Sequence, residues 1–207
     1  MSETSSSRQV FINCPFDDDY LPMFRAIVFS VMACGFIPRS ARELDDNGEP
    51  RIEKLYGIIN ESRYGIHDIC RTELDRANDL PRFNMPLELG MFIACKRFGG
   101  ESHKSKRTLI FDTEQYRYQM FLSDLAGMDI NGHGGNPDNV VARTRNWLAN
   151  VSRRVLPSDN LLLRLFQRFS VDFIDICEQL EFDPEQIPYV DFERIVANWL
   201  IEAPEVP

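Results

Sequence analysis

Short apolar runs alternate with segments of helical periodicity over the first three quarters of the chain. The runs are β-prone and end at turn residues, which is typical of strands. Between them apolar residues recur at helical spacing, as at Ile52, Leu55 and Ile59. This alternation predicts an α/β fold with a parallel sheet and helices on both faces. The predicted strands are residues 9–14, 36–42, 64–69 and 107–112, with a short fifth at 128–130.

The pattern changes near Leu156, after which only helical periodicity is found. We therefore predict an α/β domain at residues 9–155 and a C-terminal helical extension at 156–207. The apolar stripe of this extension is typical of core packing, and docking of a partner is the alternative. Pro38 places the second strand near a sheet edge. The remaining predicted helices span about residues 20–34, 52–59, 114–125 and 138–154.

Glu88 is the one carboxylate in an otherwise apolar helix that is predicted to begin at Asn84 or Met85. An apolar helix is expected to be buried, and a buried charge is rare unless it is paired or used. With Met85 as N-cap, however, Glu88 would be a capping-box glutamate that serves only its own helix. The helix alone leaves a structural and a functional carboxylate equally open.

Asp68 and Arg71 follow the third predicted strand, at the sheet edge where ligands bind in such folds. If Asp68 and Glu88 converge there, two carboxylates with aromatic residues suit N-glycosidic chemistry. The alternative is that Asp68 only pairs with a neighbouring arginine. We expect Glu88 and Asp68 to be catalytic. The predicted substrate-binding residues are Asn13, Phe16, Tyr20, Arg71, Phe83 and Asn84.

The formal net charge of −9 argues against a non-specific nucleic-acid binder, which usually carries a basic stripe. The five cysteines are widely spaced, and the Ser-rich N-terminus lacks the apolar core of a signal peptide. We therefore expect free thiols and a cytoplasmic protein. His67, His103 and His133 show no metal-ligand spacing, and no apolar run is long enough for a membrane span. We expect neither a metal nor a membrane association.

Four segments together resemble the TIR-like and nucleoside 2-deoxyribosyltransferase-like superfamily: QVFINCPFDDDYLPMF, RSARE, SRYGIHDICR and LPRFNMPLELG. The resemblance covers residues 9–155 and implies a flavodoxin-like three-layer sandwich of about five parallel strands. It also implies that Glu88 of PLELG is the catalytic glutamate and that Asp68 is the acidic residue after strand three. The chain departs from the animal TIR pattern, because Asn84, Met85 and Pro86 replace the Trp-Cys before the glutamate.

Members of this superfamily include bacterial immune effectors that cleave NAD or nucleotides. The resemblance therefore implies cleavage of the N-glycosidic bond of NAD or of a related nucleotide or nucleoside in anti-phage defence. NAD would be a substrate, and no cofactor is expected. A homo-oligomer or a partner defence protein is expected as well. Two alternatives stay open: a non-catalytic nucleotide-sensing or scaffolding module, and a deoxyribosyltransferase of nucleoside salvage.

Overall fold

The computed structural model describes residues 5–43, 48–74 and 79–203. It contains one sheet of five parallel strands with flanking helices, consistent with the predicted flavodoxin-like α/β sandwich with a C-terminal helical extension. The strands are β1 (Gln9–Asn13), β2 (Ile37–Ser40), β3 (Tyr64–Asp68), β4 (Arg107–Asp112) and β5 (Asn131–Gly132).

The strand order in the sheet is β2-β1-β3-β4-β5. The second strand lies at the edge of the sheet, as Pro38 predicted. In the register, Asn13 of β1 is paired with His67 of β3, and Asp68 with Phe111 of β4. The fifth strand was predicted slightly too early, because β5 follows Ile130 and does not contain it.

Six α-helices are present in the described ranges. The first ends before Gly35, whose φ of +76° is the left-handed conformation that glycine adopts at helix ends. The helix predicted at residues 114–125 is wrong: two 3-10 turns occupy this segment, and Tyr116 before them has a φ of +72°. The helices are α1 (Leu21–Ala33), α2 (Arg51–Glu61), α3 (Asn84–Phe98), α4 (Pro137–Ser152), α5 (Asp159–Gln179) and α6 (Tyr189–Glu202).

The chain forms two compact units, and the sheet belongs to the unit made of Met1–Phe16 and Pro38–Gly135. Helices α2 and α3 pack in this unit around Phe11 and Phe92. Met85 and Leu89 of α3 pack in a second cluster with Ile110 of β4. The expectation that α3 is buried all round is wrong, because Leu87 is 56% exposed and Phe98 is 84% exposed. Only one stripe of the helix, which includes Glu88, is buried.

The other unit is helical and consists of Asp17–Ile37 and Asn136–Pro207, so it combines α1 with α4, α5 and α6. Phe29 of α1 stacks on Phe169 with ring centroids 5.1 Å apart, and Trp199 of α6 lies 6.0 Å from Phe29. The apolar stripe of the C-terminal helices therefore forms a core with α1. The proposed domains at residues 9–155 and 156–207 stay a prediction, with α4 and α5 on either side of that boundary.

No helix within the described ranges is both long enough and apolar enough to cross a bilayer.

Candidate functional site

The candidate site lies at the carboxyl ends of β1, β3 and β4. The order of the strands reverses between β1 and β3, and ligands in open α/β sheets bind at such a switch point. Asn13, Asp68 and Asp112 are the last residues of β1, β3 and β4, respectively. All three side chains are buried, with 2% of Asn13 and none of the two aspartates exposed.

Asn13 fixes the start of α3 at this edge. Its amide nitrogen donates to the carbonyl of Met85 at 2.8 Å and lies 3.0 Å from Nδ1 of His67. His67 faces the helix layer, as its alternation with Asp68 predicted, and its ring lies 5.1 Å from that of Phe92. Burial lowers the pKa of His67 to about 3, so the ring is neutral and Nδ1 accepts the hydrogen bond. Two strands, β1 and β3, thereby hold the helix that carries Glu88.

Glu88 does not cap its own helix. Helix α3 begins at Asn84, with Phe83 as an N-cap that makes no side-chain hydrogen bond. The predicted N-cap at Asn84 or Met85 is therefore one or two residues too late. Glu88 is the fifth helical residue and not the third, which removes the capping-box alternative.

The carboxylate of Glu88 is 7% exposed and makes no hydrogen bond to any residue in the described part of the chain. Burial raises its pKa to about 7, and the positive charge of Arg51 opposes this shift. A buried carboxyl group without a structural partner is costly when it is ionised. Such an arrangement is typical of carboxylates that act on a ligand.

Asp68 has a different environment, at the centre of a hydrogen-bond network. Its Oδ1 accepts from the backbone N–H of Cys70 at 3.0 Å, and its Oδ2 lies 3.2 Å from Nε2 of His133. Nδ1 of His133 accepts from the N–H of Gly135 at 2.9 Å, which places the ring proton on Nε2, the nitrogen beside Asp68. The network fixes Asp68 between β3 and the loop after β5.

Asp68, Cys70 and His133 offer three metal-ligand atoms within 4.8 Å of one another. A metal on Nε2 of His133 would need the ring proton on Nδ1, where the Gly135 N–H already points. Burial, followed by the charge of Asp68, raises the pKa of the Cys70 thiol and so disfavours the thiolate that a metal or a nucleophile requires. The Gly135 contact of His133 and the raised pKa of Cys70 both disfavour metal ligation.

Sequence reasoning missed the ion pair between Asp112 and Arg117. Nε of Arg117 donates to Oδ1 of Asp112 at 2.9 Å, and Nη2 of Arg117 donates to the Cys70 carbonyl at 2.8 Å. The guanidinium thus ties the end of β4 to the loop after β3. Burial raises the pKa of Asp112, and its bonds to Arg117 partly oppose that effect. The available signal in the sequence was the carboxylate of Asp112 at the end of β4. The contact of Arg117 with Cys70 gives no such signal, because the two residues are distant in sequence.

The other residues that were predicted to bind substrate differ in how far they are exposed. Phe16 follows β1 and is partly exposed, Arg71 is partly exposed, and Phe83 at the start of α3 is 70% exposed. Asn84 is exposed as the first residue of α3. Tyr20 belongs to the helical unit and is only 3% exposed. Sequence reasoning overlooked Arg42 and Arg51, which lie close to Phe16.

The two candidate carboxylates have different neighbours. Asp68 contacts Cys70 and His133, whereas the electrostatic neighbour of Glu88 is Arg51. Their convergence on one substrate stays a prediction.

Comparisons of the chain with protein-family models, with curated proteins and with solved structures return no match. The geometry of the site, together with the resemblance of the four sequence segments, is therefore the basis for a functional proposal.

Proposed function

We propose that the α/β unit cleaves the N-glycosidic bond of NAD or a related nucleotide, with Glu88 as the essential carboxylate. The observation that carries the proposal is that Glu88 is buried, caps nothing and has no hydrogen-bond partner in the described part of the chain. Its helix begins at the switch point of the sheet, where ligands bind. The position of Glu88 in PLELG agrees with the resemblance stated above.

The chemistry of NAD fits a single unpartnered carboxylate. Nicotinamide leaves as a neutral molecule when the electron pair of the C1′–N bond moves to the ring nitrogen of the pyridinium. No general acid is needed for this leaving group. The ribose develops oxocarbenium character, and a carboxylate in a poorly hydrated site stabilises that positive charge much better than water does.

Two routes complete the reaction. Glu88 either stabilises the ion electrostatically or forms a covalent bond to the anomeric carbon, as a retaining glycosidase does. Water then adds to the anomeric carbon and loses a proton, which gives the ADP-ribose product; in the covalent route the bond between C1′ and Glu88 breaks in this step and its electron pair returns to the carboxylate. Asp68 is satisfied by its own network, so we assign it a positioning role for the loop around the site.

The deciding experiment incubates the purified protein with NAD, NADP, nucleosides and deoxynucleosides and detects products by mass spectrometry. Glu88→Gln removes the charge with little change in shape, and the exposed Glu53→Gln on α2 is the matched control. We expect Glu53→Gln to behave as wild type and Glu88→Gln to lose at least about 100-fold in turnover, the scale of one essential electrostatic group. Equal rates for Glu88→Gln and wild type would refute the proposal.

The same panel separates the alternatives. Transfer between 2-deoxyribosides with no cleavage of NAD would identify a salvage transferase. If wild type and Glu88→Gln both bind a nucleotide and neither converts it, the protein is a sensing or scaffolding module.

We further propose the setting that the resemblance implies, a cytoplasmic effector of anti-phage defence that works as a homo-oligomer or with a partner protein. None of the five cysteines, all of them in the described ranges, forms a disulfide, which is typical of a reducing compartment. Light scattering of the purified protein tests the oligomer. NAD measurements in cells that express wild type or Glu88→Gln during phage infection test the setting, since only wild type should lower NAD.

A further inference from the structure

Two arginines are gathered around the ring of Phe16 at the candidate site. The guanidinium carbon of Arg42 lies 4.8 Å from the ring centroid, and Nη2 of Arg42 donates to the Phe16 carbonyl at 3.0 Å. The guanidinium carbon of Arg51 lies 6.0 Å from the same centroid. The three residues come from different places: the loop after β1, the 3-10 turn Ala41–Glu43 after β2, and the start of α2. The fold therefore brings two positive charges to one point.

Arg51 occupies a position at which the dipole of its own helix disfavours a positive charge. It is the first residue of α2, and the macrodipole disfavours a cation at a helix N-terminus. The helix begins after Pro50 without a side-chain cap, so the N–H groups of its first turn also favour an anion. Arg51 is exposed and makes no hydrogen bond within the ranges that the structure describes. The Phe16 ring that it contacts supplies no counter-charge.

Arg51 is also coupled to the candidate catalytic group. Its charge acts on the nine-tenths buried carboxyl of Glu88, which has no hydrogen-bond partner among the described residues. The cluster of Phe16, Arg42 and Arg51 is therefore linked to Glu88 through the charge of Arg51. The protein as a whole carries a net charge of −9, so an anionic ligand needs specific cationic side chains to bind to it.

We propose that Arg42 and Arg51 bind the phosphate groups of the substrate, so that the site selects a phosphorylated nucleotide over the corresponding nucleoside. This inference rests on the proposed function, and it decides between the two substrate classes that the sequence left open. Guanidinium groups match phosphate oxygens with paired N–H donors, which makes arginine the preferred side chain for this task. A neutral nucleoside offers these two cations no counter-charge.

The test compares NAD with nicotinamide riboside, which has the same scissile bond and no phosphate. We expect wild type to prefer NAD, and Arg51→Gln to lower kcat/KM for NAD roughly 10- to 100-fold, the scale of one charged hydrogen bond. The loss should appear mainly in KM and should be clearly larger for NAD than for nicotinamide riboside, whose cleavage Arg51 affects only through the charge of Glu88. Arg97→Gln, an exposed arginine near the far end of α3, is the control and should change neither substrate.

Arg51→Gln is the primary variant because Arg42 also holds the Phe16 carbonyl and its loss can disturb the loop. Equal cleavage of both substrates by wild type, or an equal loss for both in Arg51→Gln, would overturn the inference and leave the proposed function intact. If neither substrate is cleaved, the proposed function fails, and calorimetric titration with ADP and adenosine still tests the arginines. Binding of ADP alone that Arg51→Gln weakens supports the inference, and equal binding of ADP and adenosine overturns it.

Discussion

The side-chain amide nitrogen of Asn13 lies 3.0 Å from Nδ1 of His67, across the two strands between which the sheet order reverses. The same nitrogen donates to the Met85 carbonyl at the start of α3. One amide group therefore sets the distance between the sheet and the helix that carries Glu88. Asn13 was predicted to bind substrate, and the structure gives it this positioning contact in addition.

Asn13→Asp is expected to destabilise the protein by about 2–4 kcal/mol, because an ionised carboxylate faces two acceptors and leaves both without a donor. The loss should shrink at low pH, where the carboxyl carries a proton and donates again. Denaturant unfolding at several pH values measures the change. The control is Asn150→Asp, an exposed site on α4, which should cost only a few tenths of a kcal/mol. Equal effects at the two sites would contradict the contact.

Gly65→Ala tests the packing of His67 on its strand. A Cβ at Gly65 would lie 2.6 Å from Nε2 of His67 and 2.9 Å from Cζ of Phe92. These rings are buried, so we expect a loss of about 1–3 kcal/mol in the free energy of unfolding. Gly57→Ala on α2 meets no atom within 4 Å and should stabilise the protein by about 0.5–1 kcal/mol. If Gly65→Ala leaves the free energy of unfolding unchanged, the rings of His67 and Phe92 can move away from the added methyl group.

The burial of Glu88 predicts that stability depends on pH. Because burial raises its pKa in the folded protein to about 7, the folded state binds a proton that the unfolded chain has lost above about pH 4.5. The free energy of unfolding should therefore fall as the pH rises from about 4.5 to about 7. Glu88→Gln should remove this fall and be more stable than wild type at pH 8 by up to about 3 kcal/mol.

Unfolding curves of wild type, Glu88→Gln and the exposed control Glu53→Gln at pH 4.5, 6 and 8 measure this difference. Parallel curves for wild type and Glu88→Gln would mean that the carboxyl of Glu88 is not desolvated. A variant that is more stable and less active would agree with a carboxylate kept for function at a cost to the fold.

The contact between Asp68 and His133 predicts that substitutions of the two residues have coupled effects on stability. Asp68→Asn leaves one oxygen to accept from both Cys70 and His133, and its new N–H group meets the Nε2–H of His133. We expect a loss of about 1–3 kcal/mol. A double-mutant cycle with His133→Phe should give a coupling energy of at least about 0.5 kcal/mol. Asp129→Asn, at an exposed position before β5, is the control. Additive effects would argue against a direct contact.

The parallel sheet was predictable because strands and helices alternate, and that alternation is local in sequence. The segment at 114–125 failed because Tyr116 adopts a left-handed conformation that periodicity does not reveal. The start of α3 was predicted too late because its N-cap, Phe83, makes no side-chain hydrogen bond and is not a typical capping residue.

The site was predictable as far as single residues stand out in the sequence. Glu88 does so because a carboxylate interrupts an apolar stretch. Arg42, Arg51 and Arg117 do not, because isolated arginines also occur on ordinary solvated surfaces. Their importance appears only when Phe16, Glu88 and Asp112 are brought next to them by the fold.

The helical unit is formed by two segments that are far apart in the sequence, and this affects its folding during synthesis on the ribosome. Phe29 of α1 is made early, whereas its stacking partner Phe169 and Trp199 follow only after the whole of Pro38–Gly135. At usual elongation rates the delay is on the order of ten seconds. During that time the apolar face of α1 has no partner from α5 or α6, so the nascent chain offers a binding site for chaperones before the helical unit can close.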